Sequence, residues 1–283
     1  FYLMNNLLYI VWQPEEVIFR IGSVPVRWYG MCWLVGLVLG YFLMQWLYRR
    51  HKFPDEKFDP LFLYVFFGVL AGARLGHCLF YEPQDFLTSW DGFLSIFIPF
   101  HHLADGSWKY VGYQGLASHG GVAGLLIALY LYIRRSGMNT WVVLDFFGIC
   151  SGITACFIRL GNQMNPEIIG KLTDVPWAFI FYNVDTHPRH PGQLYEAIAY
   201  LVFFVVIFLI YRKHPEKVGT GLYFGLCLTL IFTFRFAIEY TKEVQEAFEA
   251  GLPIDMGQIL SLPLIAIGVW AILRSRGKEY WRQ

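Results

Sequence analysis

The sequence predicts an all-α, polytopic membrane protein: seven transmembrane helices with a small extracytoplasmic head, folded as one integral membrane domain over 1–283. Three observations predict it. Hydrophobic residues make up 56% of the 283 and charged residues only 15%, with a mean hydropathy of +0.44; a soluble domain carries about 25% charged residues. Apolar runs of about 20 residues, the length a helix needs to cross hydrocarbon, recur along the chain. Lysines and arginines gather after every second run, which is how cytoplasmic loops are marked.

The first span is read over 28–48, free of charge, with Gly36 and Gly40 spaced for close helix contact. Arg49, Arg50, Lys52 and Lys57 follow it. The second, over 58–81, carries Gly68, Gly72, Arg74 and His77. A long connection over 82–114 holds the apolar piece 93–100, too short to cross and so read as lying in the interface. The third span covers 115–133 and ends in Arg134 and Arg135; the fourth covers 141–160, with Asp145 near its start and Arg159 near its end. The polar connection 161–193 is the predicted head. The fifth span, 194–211, ends in Arg212, Lys213 and Lys217. The sixth, 220–240, has Arg235 and Glu239 in its last turns, and an acidic loop with Glu243, Glu246, Glu249 and Asp255 leads to the seventh, 257–273.

Seven spans put the segments after spans one, three, five and seven on one side of the membrane. Those segments hold 13 of the 22 Lys and Arg; the other side holds six, and Arg74, Arg159 and Arg235 lie within spans. The bias places the C-terminus in the cytoplasm and the N-terminus outside.

A net charge of only +1, without a basic tract, excludes nucleic acid as a partner. The five cysteines (Cys32, Cys78, Cys150, Cys156, Cys227) all fall in apolar runs, with no CxxC or metal-ligand spacing. They read as small apolar fillers. The apolar piece 1–12 lacks a basic start and a small-residue cleavage site, so it is not a typical signal peptide.

Depth then sorts the polar residues. At about 1.5 Å per helical residue, Tyr29, Arg74, His77, His119, Arg159, Asn162, Gln193, Tyr195, Glu196, Arg235, Glu239 and Gln258 all fall toward the outer face. Asp145 alone falls near the inner one. Snorkelling at helix ends would populate both faces, so a shared polar cavity opening outward is the better account. A guanidinium at this depth needs an anion, and its planar fork suits phosphate. The outer leaflet supplies phosphate as lipid head groups. The residues thus predict a cavity that holds a phospholipid head on arginines, with His119 the natural group to move a proton. Several of these residues have plainer readings. His119 fits a core histidine, Arg74 and His77 fit a structural brace, and Arg235 and Glu239, four apart, fit a pair that neutralises itself.

The motifs that carry these residues resemble those of the prolipoprotein diacylglyceryl transferases. Arg159, Asn162, Asn165, Glu167 and Gly170 match that family's signature loop, Gly-Arg-x-Gly-Asn-Phe-x-Asn-x-Glu-x-x-Gly. Arg27-Trp28-Tyr29-Gly30, Gly72-Ala73-Arg74-Leu75-Gly76, Ser118-His119-Gly120-Gly121, His190-Pro191-Gly192-Gln193-Leu194-Tyr195-Glu196, Arg235-x-x-x-Glu239 and Met256-Gly257-Gln258 resemble its other motifs, in order. Ile158, Gln163 and Pro166 depart from the pattern, and Lys242 stands where an arginine is usual. A lysine loses the bidentate geometry, which keeps Lys242 out of the expected catalytic set.

The resemblance implies transfer of the diacylglyceryl group of phosphatidylglycerol to the lipobox cysteine thiol of prolipoprotein signal peptides, in a bacterial inner membrane, releasing glycerol 1-phosphate. It implies no metal and no cofactor; the partners are membrane lipid and the prolipoprotein. On this view Arg159 and Arg235 bind the phosphate, and Asn162 and Tyr29 orient the head group. His119 activates the thiol, arginine-promoted ionisation being the alternative. Glu239 orients Arg235, Glu167 and Gly170 shape the loop, and Arg74 completes the substrate-binding set. An anion transporter or channel is the first rival; it would need a polar path to the inner face or repeated broken helices, and the sequence has neither. The second is a non-catalytic lipid-binding scaffold, against which the matched Arg159, His119 and Arg235 argue.

Overall fold

The structure is a computed structural model that describes residues 9–22, 24–98, 100–102, 108–110, 115, 117–243 and 254–278. It is mostly helical. Two compact units divide it, Phe1–Leu47 with Asn139–Gln283, and Tyr48–Met138.

In the first unit a short strand β1 (Ile10–Trp12) and a hairpin of β2 (Val17–Ile21) and β3 (Val24–Arg27) precede the helix α1 (Trp28–Arg50). The second unit holds α2 (Asp55–Phe80), the short helices α3 (Pro83–Leu87) and α4 (Trp90–Phe97), and strands β4 (Phe100–His102) and β5 (Trp108–Tyr110). It ends with α5 (Ser118–Ser136). The first unit resumes with α6 (Thr140–Met164), β6 (Phe179–Phe181), β7 (Pro188–Arg189) and α7 (Gly192–Lys213). It continues through α8 (Leu222–Ile238), a 3-10 turn at Glu239–Thr241, and α9 (Met256–Ser275).

Helices of the first unit meet through small residues. A Cβ added to Gly36, Gly148, Gly152, Gly225 or Gly268 would stand 2.5–2.9 Å from an atom of a neighbouring helix. Such close approach replaces the hydrophobic drive that lipid cannot supply. Asp145, fully buried on α6, fixes the relative direction of two helices. Its Oδ2 accepts from the N–H groups of Gly219 (2.8 Å) and Gly221 (2.9 Å), and its Oδ1 from that of Phe224 (3.0 Å). These are donors that the first turn of α8 cannot satisfy internally. The start of α8 is thereby tied close to the start of α6, so the two helices run the same way. At that same end Arg274 stacks over Trp141 and donates to Thr220 O.

The second unit is built on α2 and α5, antiparallel and in backbone contact. A Cβ on Gly72 would lie 2.3 Å from Gly120 O, and one on Gly124 2.0 Å from Gly68 O. At their other end the Tyr132 hydroxyl donates to Lys57 O (2.7 Å) and lies 3.0 Å from the hydroxyl of Tyr48, which must then be its donor.

Among the described residues, six helices are long and apolar enough to cross a membrane: Trp28–Arg50, Asp55–Phe80, Thr140–Met164, Gly192–Lys213, Leu222–Thr241 and Met256–Ser275. The third expected span is a helix, α5, but His119, three glycines and two terminal arginines dilute its apolar stretch. Short strands appear where only helices and connections were expected. Three of them form a sheet in the order β1-β6-β7, β1 parallel to β6 and β7 antiparallel to it. The expected interfacial piece 93–100 falls within and just after α4, Pro99 lying outside the described residues. Residues 1–8 of the apolar start, Glu246 and Glu249 of the acidic loop, and Arg282 also lie outside them.

Candidate active site

One end of the first unit collects its polar side chains, and the helix directions explain how. Arg159 is near the end of α6 and Arg235 near the end of α8; with both helices starting at Asp145, both arginines reach the opposite end. The intervening α7 runs back, so it presents its first turns, with Gln193 and Glu196, to the same place. The start of α9 arrives there too. A Cβ on Gly257 would stand 2.7 Å from the Glu239 carboxylate. Tyr29 joins from the first turn of α1, its ring 3.4 Å from where a Cβ on Gly161 would be.

Arg159 is held by Glu196, Asn162 and Tyr200. Its Nε lies 3.1 Å from Glu196 Oε2, and its Nη1 donates to Asn162 Oδ1 at 3.2 Å. Asn162 passes the chain on, its Nδ2 donating to Glu167 Oε2 at 3.1 Å, while Asn165 donates to the other oxygen of that carboxylate. Tyr29 is within electrostatic reach of both Glu167 and Arg159. The helix does not stop at Gly161, where the sequence placed the start of the connection. Packing on Tyr29 and Cys32 carries it on to Met164, which sets Arg159, Asn162 and Gln163 on one face.

Glu196 has more than one cation to serve. It is 0% exposed, and its Oε1 accepts from Tyr200 (3.0 Å) and from Lys242 Nζ (3.2 Å). Lys242 Nζ, itself buried, also donates to Glu239 Oε2 at 3.2 Å. Arg235 is within electrostatic reach of Glu196 and Tyr200. The described ion pair of Glu239 is therefore with Lys242, three residues on, and the structure records no Arg235–Glu239 ion pair. Sequence reasoning placed Glu196 in the polar cavity without a role and set Lys242 aside. The signal was there: a lysine and a glutamate, each near the end of an apolar run, need each other.

The loop after Asn162 is locked onto this cluster. Gly170 is bridged to Lys242, with Lys171 N donating to Thr241 O (2.8 Å) and Glu243 N to Ile169 O (3.2 Å). A Cβ on Gly170 would lie 2.2 Å from His190 O, so only glycine fits. Ile168 sits at φ 58, a left-handed conformation that costs a β-branched residue about 1–3 kcal/mol. Gln193 holds it there by donating to Glu167 O. Outside the spans, Arg189 ties the loop together, pairing with Asp185 (2.6 Å) and Glu243 (2.8 Å) and donating to Gly170 O (3.1 Å). Hydrogen bonds from Arg189 hold the Asp185 carboxyl below the usual range, and burial pushes the His190 imidazole below its own. Trp177 donates to the Tyr195 hydroxyl, 3.2 Å from His190 Nδ1.

Arg74 and His119 belong to the second unit. The Arg74 side chain is buried, donates to Ser95 O (2.8 Å) and Ile96 O (3.3 Å) on α4, and lies over the Phe86 ring. It anchors the short helices to α2. His119 is exposed in the first turn of α5, beside the glycine that packs on Gly72. Among the described residues, no group of three or more His, Cys, Asp or Glu side chains is placed to hold a metal ion.

The arrangement can bind an anion: guanidinium groups and an ammonium, set by buried carboxylates and amides, at the polar end of a bundle of apolar helices. Comparison with known proteins gives the family. A family model described as prolipoprotein diacylglyceryl transferase matches residues 16–274. The chain is similar to the phosphatidylglycerol–prolipoprotein diacylglyceryl transferase of Bacteroides fragilis, 50% identical over 268 residues that cover 94% of this chain and 96% of that one. It is likewise similar to the proteins of that name from Tolumonas auensis, 43% identical with 94% and 97% covered, and Porphyromonas gingivalis, 37% identical with 94% and 95% covered.

Proposed function

Because the chain belongs to the prolipoprotein diacylglyceryl transferase family, we propose that Arg159 and Arg235 grip the phosphate of its lipid substrate and stabilise it as it leaves. The chain is a multi-pass membrane transferase that moves the diacylglyceryl group of phosphatidylglycerol to prolipoprotein. The acceptor is the thiol of the lipobox cysteine. Its sulfur, as thiolate, forms the new bond to the glyceryl carbon; the carbon–oxygen bond to phosphate breaks, its electron pair stays on the phosphate oxygen, and glycerol 1-phosphate departs. The thiol proton passes to a base, and thiolate is the form that attacks.

The single observation that carries this reading is Arg159, fixed by Glu196 and Asn162 at the polar end of an apolar helix. An arginine already positioned costs no reorganisation when charge develops on the leaving oxygen. Asn162 and Tyr29 orient the head group, Glu167 and Gly170 shape the loop beside it, and Glu239 acts through Lys242. His119 takes the thiol proton, or an arginine promotes its ionisation; Arg74 acts by holding the short helices.

The same reading has α5 as a seventh span, the N-terminus outside a bacterial inner membrane and the C-terminus in the cytoplasm, with 161–193 as an extracytoplasmic head on one membrane domain. Purified protein given phosphatidylglycerol in detergent and a lipobox peptide is expected to release glycerol phosphate only when the peptide carries its cysteine. Equal release with the Cys→Ser peptide would overturn it.

A further inference from the structure

We infer that Lys242 is a positioning residue that keeps the site one positive charge in surplus, so that Glu196 can orient Arg159 without neutralising it for phosphate. The inference rests on the phosphate-binding role just given to Arg159 and Arg235.

At the polar end of the first unit the cations Arg159, Arg235 and Lys242 face the carboxylates Glu196 and Glu239. Glu196 is fully buried and Lys242 is 2% exposed, so their charges are poorly screened. Glu167 is different. It is exposed and its carboxylate is taken up by Asn162 and Asn165, so solvent weakens its contribution. Without Lys242 the set would be two partly buried guanidinium groups against two carboxylates, and an arriving phosphate would meet a neutral site. With Lys242 one positive charge is left over.

Geometry divides the work between the carboxylate oxygens. Glu196 Oε2 faces Arg159 Nε at 3.1 Å, while Oε1 is occupied by Lys242 and Tyr200. Arg159 therefore meets one oxygen through one edge, and its Nη1 goes to a neutral amide, Asn162. Without Lys242, Oε1 would keep only the neutral Tyr200 hydroxyl, and the carboxylate could turn toward a bidentate clasp on Arg159, the strongest arrangement open to this pair. The lysine cannot drift away, because its own backbone is bridged to Gly170 and its Nζ is shared with Glu239.

The test is a charge-balance rescue in the intact protein, with phosphatidylglycerol and a lipobox peptide as substrates. Lys242→Met is expected to raise the KM for phosphatidylglycerol by about tenfold or more, the scale of one poorly screened charge a few ångströms away. Adding Glu239→Gln restores the surplus charge and is expected to recover most of that loss, which a purely structural role for the lysine would not produce. A double variant no better than Lys242→Met, or a Lys242→Met protein with unchanged KM, overturns the inference. Should Lys242→Met fail to fold, Lys242→Arg decides: a KM within about threefold of the parent supports it, and one raised more than about tenfold overturns it. Arg159→Ala is run alongside. If it keeps full activity, the phosphate-binding reading has failed; if it is inactive while Lys242→Met is normal, only the lysine inference has.

Discussion

Arg159 Nε stands 3.1 Å from Glu196 Oε2, and that carboxylate has no exposed surface. Taking away one member of a buried pair costs more than the pair contributes, because the other charge is left unanswered. Two effects should therefore separate in Arg159→Ala. Turnover is expected to fall about 100- to 1000-fold with the loss of a preorganised donor, and stability by less than the roughly 3–5 kcal/mol of a fully unpaired buried charge, because Lys242 and Tyr200 still serve Glu196. Adding Glu196→Gln should restore the melting temperature in detergent and leave the rate low. Normal turnover in the single variant would remove Arg159 from the chemistry.

Gly170→Ala forces a Cβ to within 2.2 Å of His190 O. Backbone cannot give as a flexible side chain can, so the loop must move, at roughly 1–3 kcal/mol for overpacking of this kind. Because the same loop is bridged to Lys242 and bonded through Glu167 to Asn162, the variant is expected to lose activity at temperatures where it is still folded. Full activity with a lowered melting temperature would show that the loop serves folding alone.

Asp145 gives the opposite expectation. Its three bonds lie at the start of α8, and Arg235 is near the far end of that helix. Asp145→Ala should cost about 2 kcal/mol or more, the upper end for a lost helix cap, while the KM for phosphatidylglycerol at permissive temperature stays put. A raised KM would mean that the cap sets the position of Arg235 as well as its helix.

How much of this was legible in the sequence depends on the range of the interaction. The helices, the polar end and the presence there of Tyr29, Asn162, Glu196 and Arg235 follow from run length and alternation, which are local. Partner choice is not local. Glu239 is four residues from Arg235 and three from Lys242, both allowed on a helix surface; the change to a 3-10 turn at Glu239 and the close approach of Gly257 decide for Lys242. Asp145 read as a group near a surface, since its donors lie more than seventy residues on. Strands of two or three residues, such as β6 and β7, are too short to show a period of two. The end of α6 was misread because Gly161 looks like a helix stop until Tyr29 and Cys32 are seen packed against it.

Outside the spans, Asp185 supplies a pH dependence whose sign is fixed. Hydrogen bonds from Arg189 depress its folded-state pKa below the ordinary carboxylate value. The stabilisation is therefore complete above that ordinary value, near 3.9, and is lost as pH falls through the lower folded one. For a pair this accessible the effect is under about 1 kcal/mol. Asp185→Asn should lower the melting temperature at neutral pH by that small amount and flatten the acid limb of the profile below about pH 4; an unchanged profile would mean the pair contributes nothing.

His119 opens α5 in the second unit, exposed, beside Gly120. If it takes the proton from the acceptor cysteine, its loss removes a general base, a contribution of about 100- to 10,000-fold. His119→Gln keeps the size and a hydrogen-bonding end but cannot hold the proton, so turnover should drop by at least the lower figure while the KM for phosphatidylglycerol is unchanged. The acceptor discriminates further. A peptide whose thiol is already ionised at the assay pH needs no base, and should recover much of the lost rate in the variant. Normal turnover in His119→Gln with the ordinary peptide would instead assign thiol ionisation to the arginines, whose positive charge favours thiolate without accepting a proton.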